Sequence, residues 1–112
     1  MAALVHGASV VIVTCDRPGE ACSLLAQVLD QRGVKGGLEV LLVNDHGDRQ
    51  VFEEAAPLAR NRSIPVRCFD TGYAGFGALL ARNIGLRHAC YSTTIFLEQS
   101  VKVLLKNDGN FG

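Results

Sequence analysis

An α/β fold is what this sequence predicts: one mainly parallel sheet with helices on both faces. Three observations point there. Short runs of β-branched and aliphatic residues alternate with amphipathic stretches at helical spacing, the rhythm of right-handed βαβ units. The stretch Leu38–Asp48, LEVLLVNDHGD, is an apolar run that stops abruptly at Asn44-Asp45-His46-Gly47-Asp48. That pattern suits a strand buried on both faces of a parallel sheet. The 112 residues suit one domain, with a core expected over about residues 8–105.

The first strand is Ser9–Thr14, SVVIVT, rich in β-branched residues. It ends in Cys15-Asp16-Arg17-Pro18, and Pro18 suits the first turn of a helix, where its missing N–H costs nothing. Ala21, Leu24, Leu25, Val28 and Leu29 then recur at helical spacing, with Gly33 as the expected stop. The second strand is Leu38–Val43. Asp48 is placed to cap a second helix running to about Arg60, which Pro57 is expected to shorten or kink.

The third strand, Ile64–Phe69, has Pro65 near its start. Proline cannot donate to a ladder, so this strand is expected at the sheet edge. Asp70–Gly77, DTGYAGFG, is a glycine-rich loop. Its GxxGxG spacing, after the third strand rather than the first, argues for a backbone bend over a dinucleotide-binding loop. A third helix follows from about Ala78 to Ala89. Thr93–Leu97, TTIFL, is a fourth strand entering Glu98-Gln99-Ser100, and Val101–Leu105 fits either strand or helix.

Composition narrows the function classes. Apolar residues make up 48% and charged residues 20%, enough apolar surface for a core and too little charge for disorder. Eleven Lys and Arg balance eleven Asp and Glu, so no net charge draws in nucleic acid or acidic lipid. No basic-then-apolar signal is visible at the start, and no apolar run approaches the roughly 18 residues of a membrane span. Cys15, Cys22, Cys68 and Cys90 follow no CxxC pattern. They are expected as reduced core thiols in a cytoplasmic protein.

Ligands of open α/β sheets bind beyond the carboxyl ends of the strands. The first, second and fourth strand ends carry Thr14–Arg17, Asn44–Asp48 and Glu98–Ser100. Asp45 could accept hydrogen bonds from a ribose or a base N–H; alternatively Asp45 or Asp48 caps the following helix. Asp48 alone suffices for that cap, which leaves Asp45 over for a ligand. Arg82 and Asn83 fall where the third helix faces either crevice or solvent, and Arg there could pair with a phosphate or stack on a base. Cys15 and His46 can be drawn as nucleophile and base, but no spacing supports the pair. No His/Cys group has metal-ligand spacing.

Three stretches together resemble the nucleotide-binding half of a family 2 glycosyltransferase, which has the GT-A fold. SVVIVTCDRP (Ser9–Pro18) resembles the family's first strand and turn, EVLLVNDHGD (Glu39–Asp48) its second strand with the DDGS turn, and ARNIGLRHACYSTTIFLE (Ala81–Glu98) its ARNxG helix and FLD strand. The resemblance implies a Rossmann-like half-fold and a nucleotide-diphosphate sugar donor, typically UDP-linked. Thr14 and Asp45 would lie near the nucleobase, Asp16 and Arg17 in the adjoining turn, and Arg82 near the nucleotide. A Mg²⁺ or Mn²⁺ ion would normally bridge the DxD motif and the diphosphate.

This chain departs at the metal motif. Where the family has FLDDD or FLDSD, Phe96-Leu97-Glu98-Gln99-Ser100 stands here. Glu98 keeps one carboxylate, but the third position is the hydroxyl of Ser100, which does not replace an anionic oxygen. Inverting transfer also wants a carboxylate base for the acceptor hydroxyl, and after Glu98 only Asp108 remains. The expectation is donor binding without competence for sugar transfer by this chain alone. The alternative is a non-catalytic interaction module. Half a sheet leaves the fourth strand with a free edge, and pairing between two copies is a natural remedy, so a homodimer is expected.

Overall fold

The computed structural model describes residues 5–31, 36–46, 49–60, 62–72 and 77–98. Among the described residues, seven elements follow in strict alternation: β1 (Val5–Thr14), α1 (Pro18–Leu29), β2 (Gly37–Asn44), α2 (Gln50–Arg60), β3 (Val66–Asp70), α3 (Ala78–His88) and β4 (Tyr91–Glu98). All pairings are parallel and the strand order is β3-β2-β1-β4. The chain is therefore an α/β Rossmann-like arrangement.

The sheet sorts its side chains by parity, because successive strand residues point to opposite faces. Val10, Ile12, Val40 and Leu42 pack with Leu24, Leu25 and Val28 of α1 and with Val51 and Ala55 of α2. Val11, Val13, Leu41 and Val43 pack on the other face with Ala81 of α3. Helices thus cover both faces, as the apolar run in β2 implied.

Pro18 opens α1 as expected, and α1 ends at Leu29, ahead of Gly33. Gly33, Asp48, Gly75 and the segment Val101–Leu105 lie outside the described residues. Pro57 does not shorten α2, which runs through it to Arg60. Glu53 and Pro57 are both exposed, so the carbonyl that Pro57 leaves without an amide lies on the solvent side. Pro65 sits just before β3, an edge strand as predicted, and contributes only its carbonyl, which accepts from the Val40 amide at 2.9 Å.

Two strands are longer than their β-branched cores suggest, because Val5 of β1 pairs with Tyr91 of β4 before the regular ladder begins at Ala8 and Thr93. The cysteines correct the sequence reading in part: all four are free as expected and half-buried Cys22 packs against the core, but Cys15 is only half-buried and Cys68 and Cys90 are exposed. Among the described residues, no helix is long and apolar enough to cross a membrane.

Candidate functional site

The strand order reverses direction at β1. β1 leads to β2 and then β3 on one side, and the chain then crosses over to β4 on the other. The carboxyl ends of strands at such a switch point form a crevice, the usual ligand position in open α/β sheets. Thr14 aligns with Asn44 and Asn44 with Asp70, while Glu98 aligns with Val13. The first three therefore form one row at the rim.

The row is knitted together beyond the ladder. The Asp45 amide donates to the Thr14 carbonyl at 2.8 Å, and the Thr71 amide to the Asn44 carbonyl at 3.1 Å. Asp16 and His46 both take a positive φ of 55°. That region is sparsely used by non-glycine residues, although Asp and His tolerate it better than most. Two such residues, each two positions beyond a central strand, turn the chain sharply at the same end of the sheet.

Thr14 and Asp45 are buried at this end, and Asp45 is only 3% exposed. Asp45 is not left over, as the sequence suggested. Its Oδ1 and Oδ2 lie 2.9 and 3.1 Å from the Gly77 amide, which donates to the carboxylate. Gly77 is the N-cap of α3, so Asp45 serves a helix 32 residues away rather than the one that follows it. The negative charge there complements the positive end of the helix dipole.

The remaining sequence candidates are spread around this point. Asp16 and Arg17 are exposed in the turn after β1, and Arg17 pairs with Glu20 at 3.5 Å. Arg82 is exposed on α3, next to buried Ala81. The backbone of Glu98 closes β4, while its side chain and Ser100 lie outside the described residues. Beyond β3, Asp70 accepts from the Gly72 amide at 2.9 Å and pairs with Arg49 at 3.7 Å.

Two alternative chemistries fall away. A dinucleotide fold presents free amides at the start of its first helix. Here α1 begins with Pro18, which has no N–H, and carries Glu20 in its first turn. The Cys15 thiol points to the backbone carbonyl of His46, 3.7 Å away, not to its ring. Burial pushes that thiol up, as do the charges of Asp16 and Asp45, so it stays protonated and is a poor nucleophile.

Sequence reasoning passed over Glu39, the buried acid at the opposite end of the sheet, 4% exposed. Its Oε2 accepts from the Ser9 hydroxyl and from the Cys90 amide, both at 2.7 Å, and its Oε1 accepts from Arg67 at 3.0 Å. Arg67 also donates to the His88 carbonyl, the last of α3. Burial alone would raise the Glu39 carboxyl, but these bonds and the Arg67 charge outweigh it and hold the group below its ordinary value. The signal was an acid inside an apolar strand, at even spacing from Asp45.

Among the described residues, no group of three His, Cys, Asp or Glu side chains is gathered to hold a metal ion. The sequence at Glu98-Gln99-Ser100 offers one carboxylate and one neutral hydroxyl, a donor set that does not fit the usual carboxylate-rich shell of a hard cation. Compared with known proteins, the chain matches no family model, and no curated protein matches it significantly.

Proposed function

We propose that this chain binds a nucleotide-diphosphate sugar of the UDP type in the crevice beyond β1, β2 and β4. The observation that carries this reading is the reversal of strand order at β1 with Asp45 buried at the adjoining end of β2. Ligands favour that position in open α/β sheets. The motif order in the sequence supports the choice of ligand. A carboxylate has about four lone-pair sites, so Asp45 keeps acceptor capacity for a nucleobase N–H after serving Gly77. Thr14 lies beside it, Asp16 and Arg17 border the same end, and Arg82 supplies positive charge for the nucleotide.

The proposed role stops at donor binding. Glu98 and Ser100 make a poor shell for a metal ion, and donor binding by this chain needs no base for an acceptor hydroxyl. The test is the melting temperature with UDP, with and without Mn²⁺. Ligand at about a hundred times its Kd adds roughly 2.7 kcal/mol, a rise on the order of 10 °C for a domain of this size. A rise without Mn²⁺ supports a metal-independent donor site. A rise that needs Mn²⁺ restores a metal role to Glu98. No shift at millimolar UDP refutes the reading.

A second reading rests on a different observation. β4 is an edge strand of the described sheet, and Ile95 on it is 43% exposed. A groove of about 320 Å³ opens there between α1 and β4, lined by Val10, Leu24, Val28, Ile95 and Leu97. Edges and apolar grooves of this kind suit pairing between two copies in an interaction module. A dimer on sizing with no response to UDP supports it, and a clean monomer at micromolar concentration removes it.

A further inference from the structure

We infer that two buried carboxylates, Glu39 within β2 and Asp45 just beyond its end, grip α3 at both ends, and that Asp45 thereby acts as a positioning residue for the crevice. Only the consequence for the crevice rests on the donor-site reading; the grip stands on geometry alone.

Glu39, Leu41, Val43 and Asp45 alternate onto one face of β2, the face that α3 covers. Six strand residues span about 20 Å, and the eleven residues of α3 span roughly 16 Å. The carboxylates therefore bracket the helix. At the start, Asp45 receives the Gly77 amide, one of the donors that a helix leaves without an internal partner. At the finish, Arg67 joins Glu39 to the His88 carbonyl, and Glu39 also takes the Cys90 amide just beyond the helix.

Between the two ends the helix lies close to the sheet. A Cβ built on Gly85 would stand 2.6 Å from Val11 Cγ1, so only glycine permits this approach. Ala81, one turn earlier, is fully buried against the same layer. The two small residues of the ARNIG stretch thus seat α3, and Glu39 and Asp45 fix it along its axis. Arg82 follows Gly77 by five residues on this seated helix. Loss of the Asp45 carboxylate displaces the wall that carries Arg82, whether or not a ligand touches Asp45.

The experiment is residue-resolved amide exchange on the full chain for wild type, Asp45→Ala, Asp45→Asn and Glu39→Gln, with UDP titrated into each. Asp45→Ala should speed exchange at Gly77 and along the first half of α3 on the order of tenfold, leaving β1 and β2 at wild-type rates. Asp45→Asn should recover most of that protection, since its amide oxygen still accepts from Gly77. Glu39→Gln keeps an acceptor for the Cys90 amide but loses the charged pairing with Arg67, so it should act at the last turn of α3 that Arg67 holds, and should weaken UDP binding severalfold from about 20 Å away.

Wild-type exchange across α3 in Asp45→Ala overturns the inference. So does uniform acceleration over the whole sheet, or failure of Asp45→Asn to recover. If α3 responds as expected and no form binds UDP, the grip stands and the donor-site reading falls.

Discussion

Replacing Glu39 by alanine tests the energetics of the fold most sharply. The carboxylate is 4% exposed and satisfies three donors from three different segments: Ser9, Cys90 and Arg67. Truncation leaves the part-buried Cys90 amide without its acceptor, which costs about 1 kcal/mol, the low end of the range for a stranded donor, because Cys90 is itself exposed. The Ser9 hydroxyl can turn elsewhere while still accepting from the Tyr91 amide at 3.2 Å. Arg67, whose side chain is 41% exposed, returns to water, so its ion pair is discounted toward surface values.

With the cavity added, Glu39→Ala should cost about 3 kcal/mol. That is a drop on the order of 10 °C or somewhat more in Tm for a domain of this size. Glu39→Gln keeps an acceptor for Ser9 and Cys90 and loses only the charged pair, for about 1 kcal/mol. Urea unfolding at fixed m-value is the assay. Because the Glu39 carboxyl is held below its ordinary value, its contribution is present above the unfolded value of about 4.3 and fades as pH falls through the lower folded value. The gap between wild type and Glu39→Gln should therefore be wide at pH 7 and narrow progressively as pH falls below the unfolded value. A pH-independent gap, or Glu39→Ala within about 0.5 kcal/mol of wild type, refutes the reasoning.

Other substitutions probe the remaining contacts. Arg67→Met leaves Glu39 buried without its counter-charge and should cost about 2 kcal/mol at neutral pH, with the penalty shrinking as acid protonates Glu39; denaturation at pH 7 and pH 4 compares the two. Gly85→Ala must push α3 away from Val11 and should destabilise by about 1–3 kcal/mol despite the better helix propensity of alanine, as thermal melts would show. Cys15→Ser should leave any UDP-induced rise in Tm unchanged, because serine can still donate to the His46 carbonyl and no thiol chemistry enters the proposed site.

The layers of the fold were legible because parity and helical spacing are local. SVVIVT and EVLLVN announced two central strands, Pro65 placed β3 at the edge, and Pro18 marked the start of α1. The ends were less legible: Val5 and Tyr91 join the ladder through pairing with each other, which neither segment shows alone. Pro57 does not shorten α2, because its cost depends on which side its unpaired carbonyl faces. For the candidate site, the position of Asp45 at a strand end was readable. Its service to α3 was not, because the Gly77 amide lies 32 residues on and only the crossover brings it near. Glu39 was missed for the same reason: its partners Ser9, Arg67 and Cys90 come together only in the parallel sheet.

The proposed donor site is tested most directly by titrating UDP into ¹⁵N-labelled protein and following every backbone amide. Shifts should be confined to the carboxyl end of the sheet, at Thr14–Arg17, Asp45–His46 and Gly77–Arg82, with the amides around Ser9, Glu39 and Tyr91 unmoved. Shifts centred on that opposite end, or none at millimolar UDP, would contradict it.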